Sequence, residues 1–277
     1  MERFYSLLTF LCCTVFIGAN GLAQVSTNGL VAHYKMDGDA QDASGNGNHG
    51  TAQNGVAFGT GKFGKAASFD GVNDYVEVNH SASLNNYVIT GELTISYWIN
   101  PDIGKTRDVI AKRPPANNGG FVVQANPDQM GYDHAIFTNV GQKYVVVTYT
   151  QNEWQHIVFS AKAGDAIRVF KNGVLSASLS LAGNTFVGTT NNMRLMANTM
   201  ALELFQKGQL DQVQIFSRIL SNDEVQALYQ AEAPPAGISL SSPLKFAGGL
   251  TNLEQNKAYS YNFEVKNTGT VALIGEV

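Results

Sequence analysis

Charge is scarce in this 277-residue chain: Asp, Glu, Lys and Arg together make up 14 %, and the formal net charge is −4. No long basic or acidic run interrupts that sparseness, so neither nucleic acid nor an anionic membrane surface is indicated as a partner. Cysteine is rarer still, with only Cys12 and Cys13. Both fall in a leading segment expected to be removed, so the mature protein would hold no disulfide, and a bound cation is one candidate for a substitute brace. Long apolar runs are missing as well. The stretch at residues 7–17 is too short for the ~20 residues of a membrane span. It follows the lone positive charge of Arg3 and leads to Gly21 and Ala23, three and one positions before a cleavage ahead of Gln24. That layout predicts a secretory signal peptide over 1–23 and an extracellular protein, with no membrane span.

What is plentiful is Gly, Asn, Thr and Val, a mixture suited to strands joined by tight turns. About a dozen short β-prone runs fall between residues 29 and 230. They are expected at 29–36, 66–70, 75–78, 93–99, 108–111, 120–125, 135–139, 144–150, 155–161, 166–171, 174–181, 193–196 and 210–216. Residues 37–50 are too glycine-laden for helix or strand. In Ile167-Arg168-Val169 apolar and polar residues alternate as in a half-buried strand, and Asn172-Gly173 then predicts a type I′ hairpin. Ser221-Asn222-Asp223-Glu224 is a capping box, with Val225, Leu228 and Tyr229 on one apolar helical face. The reading is all-β: a two-sheet antiparallel sandwich over 24–230 with one short C-terminal helix. A Pro-rich linker follows at 231–237, with Pro234-Pro235 as a semi-rigid spacer. The alternation in 258–265 and the turn signals after it resemble the opening strands of an immunoglobulin-like domain, giving a partial Ig-like β segment over 238–277. It is too short for a core of its own, so the natural chain is expected to continue past Val277 or this piece to be a truncated remnant.

Five stretches carry a family resemblance. They are Ala66-Ala67-Ser68-Phe69-Asp70-Gly71-Val72-Asn73-Asp74-Tyr75-Val76-Glu77-Val78 and Leu93-Thr94-Ile95-Ser96-Tyr97-Trp98-Ile99-Asn100-Pro101. Glu153-Trp154-Gln155-His156-Ile157-Val158, the hairpin Arg168-Val169-Phe170-Lys171-Asn172-Gly173, and the run from Gly208-Gln209-Leu210-Asp211 to Leu228-Tyr229 complete the set. Together they resemble, in order, the laminin-G-like and pentraxin branch of the concanavalin A-like jelly rolls. The resemblance implies the jelly-roll fold and, in many relatives, a structural calcium ion. It does not name a ligand, because that fold hosts lectins, adhesion modules, pentraxins and glycoside hydrolases alike.

In jelly rolls of this kind the first and last strands are neighbours, which would bring Asp37 near Asp211. The loop from Asp42 to Gly50 could add a carboxylate and carbonyl oxygens, a supply suited to Ca2+. Asp70 is a further metal candidate. The competing reading is that these aspartates cap turns, as Asp does beside Gly and Asn. Trp98 and Trp154 are read as strand residues packed in the core. Ligand contacts are expected in the loop 112–134, with Tyr132 stacking on a sugar and Asn117, Asp128 or Asp133 binding hydroxyls. His156 is expected to hydrogen-bond inside the sandwich, and the five histidines form no zinc motif. Catalysis has little support. No alternating E-x-D-x-E triplet supplies the paired carboxylates a glycosidase needs, no alginate-lyase strand motif occurs, and no G-x-S-x-G elbow occurs. The expectation is therefore a secreted, non-catalytic recognition module for an extracellular glycan, with a cell-surface protein as the alternative partner.

Overall fold

The computed structural model describes residues 26–102, 107–126, 131–200, 204–231, 238–240 and 265–267. The expected signal peptide, the linker at 232–237, most of the Ig-like segment and Asp128 lie outside the described residues. In chain order the strands are β1 Leu30–Tyr34, β2 Gly50–Gln53, β3 Ala57–Thr60, β4 Lys65–Asp70 and β5 Tyr75–Val78. A short helix α1, Asn86–Thr90, precedes β6 Glu92–Pro101, β7 Asp108–Lys112, β8 Phe121–Asn126, β9 Gly131–Thr138 and β10 Gly141–Thr148. Then come β11 Gln155–Lys162, β12 Ala166–Lys171, β13 Val174–Ser180, β14 Met193–Leu195, β15 Lys207–Phe216 and the helix α2 Asn222–Ala231. Beyond it, β16 Ile238–Leu240 pairs antiparallel with β17 Val265–Asn267.

Two antiparallel sheets make a sandwich. One runs β13-β12-β11-β6-β15-β4-β3, with β1 also on β15; the other runs β10-β9-β8-β7-β14-β5-β2. Between them lie Tyr34, Ile95, Tyr97, Phe121, Phe159, Val169 and Leu195, all buried. Each such side chain stabilises the fold by about 1.5–3 kcal/mol relative to exposure. One polar cluster is sealed inside: the Tyr97 hydroxyl meets His134 Nε2 at 3.1 Å and the Tyr149 hydroxyl at 2.8 Å. Burial pushes the His134 imidazole down to about 3, so it is neutral and the cluster carries no charge.

The ten-residue β15 shares one flank between two strands. Its first half pairs with β4 (Leu210 opposite Ala67) and its second half with β1 (Val213 opposite Tyr34). Its pairing with β6 breaks between Asp211 and Gln214, where Gln212 takes a φ of +48°. The opening and closing strands are therefore neighbours, as the resemblance implies.

Local signals act as expected in two places. At the β12–β13 hairpin Asn172 and Gly173 both have positive φ, +52° and +79°. At α2, Ser221 Oγ accepts from Glu224 N at 3.2 Å while Glu224 Oε2 accepts from Ser221 N at 2.9 Å. The helix seats Val225 and Leu228 against Val158, Phe170 and Phe216 on the outer face of the eight-stranded sheet. Tyr229 stacks on Trp98 at 5.8 Å. Trp98 is thus buried, but beneath helix α2 rather than between the sheets, and Trp154 is half-buried just ahead of β11 rather than within it. His156 is buried and bonds Ser96 Oγ at 2.8 Å. Strands β2 and β3, absent from the sequence reading, are short and largely exposed, so they carry little apolar pattern.

A buried ion pair ties the loop after β7: Arg113 Nη2 donates to Asp108 Oδ2 at 2.7 Å, and both side chains are almost wholly covered. Burial pushes the Asp108 carboxyl up, against the pull of the guanidinium. Replacing Arg113 by Leu would strand that carboxylate and is expected to cost about 3–5 kcal/mol in urea unfolding. Phe216→Ala is expected to cost about 3–5 kcal/mol, and Ser221→Ala only about 1 kcal/mol. Equal losses for the last two would show that the cap, not the packing, holds α2.

Candidate functional site

Of the four aspartates singled out as metal ligands, the structure brings two together. Asp211, buried at the break in β15, accepts from Phe63 N at 2.9 Å through Oδ2, while its Oδ1 is buried with no hydrogen-bond partner among the described residues. Asp37 accepts from Lys65 N at 3.0 Å, so the two carboxylates flank one turn. Gly64 makes that turn possible. Its φ is +55°, and a Cβ there would lie 2.6 Å from Asp37 Oδ1. Burial, and secondarily the charge of Asp37, lifts the Asp211 carboxyl to about 6. A buried carboxylate beside a second carboxylate is the kind of pair that could hold a hard cation, and here the pair is Asp37 and Asp211.

Asp42 and Asp70 do other work. Asp42 Oδ1 accepts from His33 N and Ser44 N and its Oδ2 from Asn48 N, at 2.8–2.9 Å. Burial pushes its carboxyl up, but those N–H groups outweigh it and hold it below the ordinary value. It organises the glycine-rich loop on β1. Asp70 Oδ1 accepts from Val72 N at 2.8 Å and caps an exposed turn. Among the described residues, no three acidic, histidine or cysteine side chains converge on one point.

The expected sugar contacts in 112–134 require a correction, because residues 131–134 open strand β9 and are not loop. Tyr132 is 0 % exposed and packs on Tyr149 with ring centroids 4.2 Å apart, so it offers no face to a sugar. Asp133 is buried too, its oxygens taken by Gln124 Nε2 and Asn126 Nδ2, both at 3.0 Å. Asn117 stays exposed, but its Oδ1 accepts from Arg113 Nη1 at 3.1 Å, and its φ of +52° shapes the turn. The Asp133 carboxylate and the Asn117 amide oxygen are thus already engaged within the protein.

Concave surface among the described residues lies elsewhere. On the outer face of the seven-stranded sheet, β5 and β14 pair with Glu77 opposite Arg194. With Thr190, Asn191, Asn192 and Thr199 they line a cleft of about 380 Å³. Arg194 lies over the Tyr75 ring at 5.4 Å, donates to Asn198 O at 2.7 Å and reaches Glu77 Oε1 at 3.3 Å. Asn192 Nδ2 also donates to Glu77 Oε1, at 3.2 Å. Next to this wall the Lys112 ammonium is fully buried, donating to Asn191 O at 2.6 Å and Thr189 O at 3.1 Å, with His80 Nδ1 at 3.2 Å. Burial pulls its pKa down to about 8. Gly120, with φ +87°, allows the chain to pass there, since a Cβ would lie 1.7 Å from Lys112 O. A smaller cleft of about 240 Å³ on the other sheet is lined by Ser68, Asn100, Asp102, Lys207 and Gln209, among others. The sequence reading missed the larger cleft. Its one local signal is the polar run Thr189-Thr190-Asn191-Asn192, far in sequence from Glu77.

Comparison with known proteins agrees with this architecture. A search of curated proteins found no match. Among solved structures, the binding domain of Paraclostridial Mosquitocidal Protein 1 superposes with a TM-score of 0.62 at 20 % identity, over 74 % of this chain and 52 % of that one. Domain 4 of AbnA, a GH43 extracellular arabinanase from Geobacillus stearothermophilus solved in complex with arabinotriose, gives 0.56 at 22 % identity, over 73 % of this chain and 98 % of that domain. The binding domain of botulinum neurotoxin serotype D gives 0.61 at 17 % identity, over 74 % and 52 %. The chain thus spans about half the length of the toxin binding domains that it resembles. At these identities the likeness is one of fold, and all three are binding domains or a domain solved with a bound saccharide. The family model for the concanavalin A-like lectin/glucanases superfamily matches residues 70–226, more than half of the chain. With the two-layer sandwich in place around that match, the protein belongs to the concanavalin A-like lectin/glucanase superfamily, in its laminin-G branch.

Proposed function

We propose that the sandwich is a secreted, non-catalytic module that recognises a glycan in the cleft between β5, β14 and the 189–199 segment. The cleft itself carries the reading. Its size is within the ~300–1,000 Å³ of small-ligand sites, and its walls are hydroxyl, amide and guanidinium groups carried by the paired strands β5 and β14 and the segments flanking β14. Such groups match sugar hydroxyls as donors and acceptors, and the bonds of Asn192 and Arg194 to Glu77 order three of them before a ligand arrives. Glu77 is the sole carboxylate among the described residues lining the cleft, whereas glycoside hydrolysis works with two. The full-length likeness to an arabinanase domain solved with arabinotriose supports the same reading.

The test is a glycan array with the full chain, followed by titration of each hit. Asn192→Ala and Thr190→Ala are expected to weaken binding about tenfold each, since each removes hydrogen bonds in a formed site. Silence across a broad polysaccharide panel, with capture of a cell-surface protein instead, overturns the glycan reading. Release of reducing sugar above background overturns the non-catalytic one.

In the same reading Asp37 and Asp211 hold a calcium ion, whose charge offsets two carboxylates that the fold brings together. Calcium is expected to raise the Tm of the chelator-treated protein, by mass action on the folded state. Asp211→Asn is expected to abolish that rise and to leave the metal-free protein no less stable, because it removes an unpaired buried charge. An identical calcium response in the variant overturns the assignment.

A further inference from the structure

The electrostatics of the cleft narrow the class of sugar, and the inference rests on the glycan reading above. On a chain of net charge −4, this spot is positive. Glu77 and Arg194 offset each other across the β5–β14 pair. Arg113, which bonds Thr199 through its backbone, is offset by Asp108. Lys112 has no such partner among the described residues: its ammonium meets two carbonyls and the His80 ring, and no carboxylate. Burial keeps water from screening that charge, so its field extends into the adjoining cleft more strongly than that of a surface lysine.

Hydrogen-bond accounting points the same way. Arg194 Nε and Asn198 Nδ2 are buried donors with no acceptor among the described residues. Asn198 is fully covered and adjoins the cleft through its bond from Arg194 Nη1. Of the five N–H groups that a guanidinium carries, Arg194 spends one on Asn198 O and one on Glu77. The buried Arg194 Nε and Asn198 Nδ2 do not reach a ligand, but two of the four terminal N–H groups of Arg194 stay uncommitted at the cleft wall. A neutral hydroxyl can accept from such a group, but an ionised acid group accepts only and pairs with a guanidinium through stronger, charge-assisted bonds.

We infer that the cleft selects saccharides bearing an anionic, acceptor-only substituent, seated against Arg194 in the field of Lys112. A uronate carboxylate and a sulfate ester share that chemistry.

The experiment titrates the full chain with polygalacturonate, alginate and hyaluronate, each beside its carboxyl-reduced counterpart, and with a sulfated and a neutral polysaccharide. At least one acidic polymer is expected to bind about tenfold or more tightly than its reduced form, the scale of one charge-assisted hydrogen bond. Added salt is expected to erode that difference. Arg194→Gln is expected to abolish the preference, and Lys112→Met to reduce it. Should Lys112→Met fail to fold, Arg194→Gln alone decides. Tighter binding of the sulfated polymer supports the inference and assigns the substituent as a sulfate ester. Equal affinity for acidic and reduced forms overturns it, as does a preference that survives Arg194→Gln. Binding of neutral polymer only, lost in Asn192→Ala, overturns this inference while the glycan reading stands. No binding to any polymer overturns both.

Discussion

The pairing of β1 with β15 is the constraint on which the rest of the molecule depends. It joins residues near 30 to residues near 216, and β15 in turn lies between β6 on one flank and β4 with β1 on the other. A strand shared in this way cannot keep one register throughout, and the break at Asp211–Gln214 absorbs the mismatch. The carboxylate of Asp211 is buried at that break, beside Asp37 at the end of the opening strand. The carboxylate pair is thus a product of the topology. It exists because first and last strands meet.

Parts of this were legible in the residues alone. The Asn172-Gly173 turn and the Ser221/Glu224 cap are local devices, and each works as its chemistry dictates. The approach of Asp37 to Asp211 was legible only through the family resemblance, since nothing within either segment points to the other. The misreading of Tyr132 and Asp133 has a physical cause. Strand β9 is buried along its whole length, so polar residues cannot alternate outward, and Tyr-Asp-His reads as loop. Inside, Asp133 finds Gln124 and Asn126 across the ladder, and His134 finds Tyr97 and Tyr149. The cleft was invisible for a different reason. Glu77 and Arg194 lie more than a hundred residues apart and meet only through the pairing of β5 with β14.

The two concavities described above sit on opposite outer faces of the sandwich, one lined by Glu77 and Arg194, the other beside the Lys207–Asp102 pair. The inner faces are committed to packing, and helix α2 covers the outer surface around Trp98. Chemistry is left to what remains open. Rigid strands with a few exposed polar side chains suit discrimination between similar ligands, because the groups need little ordering when a ligand arrives.

The shared strand also governs when the chain can become a protein. Synthesis proceeds from the N-terminus, yet β1 has no partner for its edge until β15 has been made, almost two hundred residues later. The intervening hairpins, such as β9–β10 and β12–β13, can form as they emerge. Contacts of such long sequence separation form slowly, because the loop must close before they yield any stabilisation. The opening strand therefore waits for its ladder while the hairpins between take shape, and the last long strand of the sandwich acts as the latch.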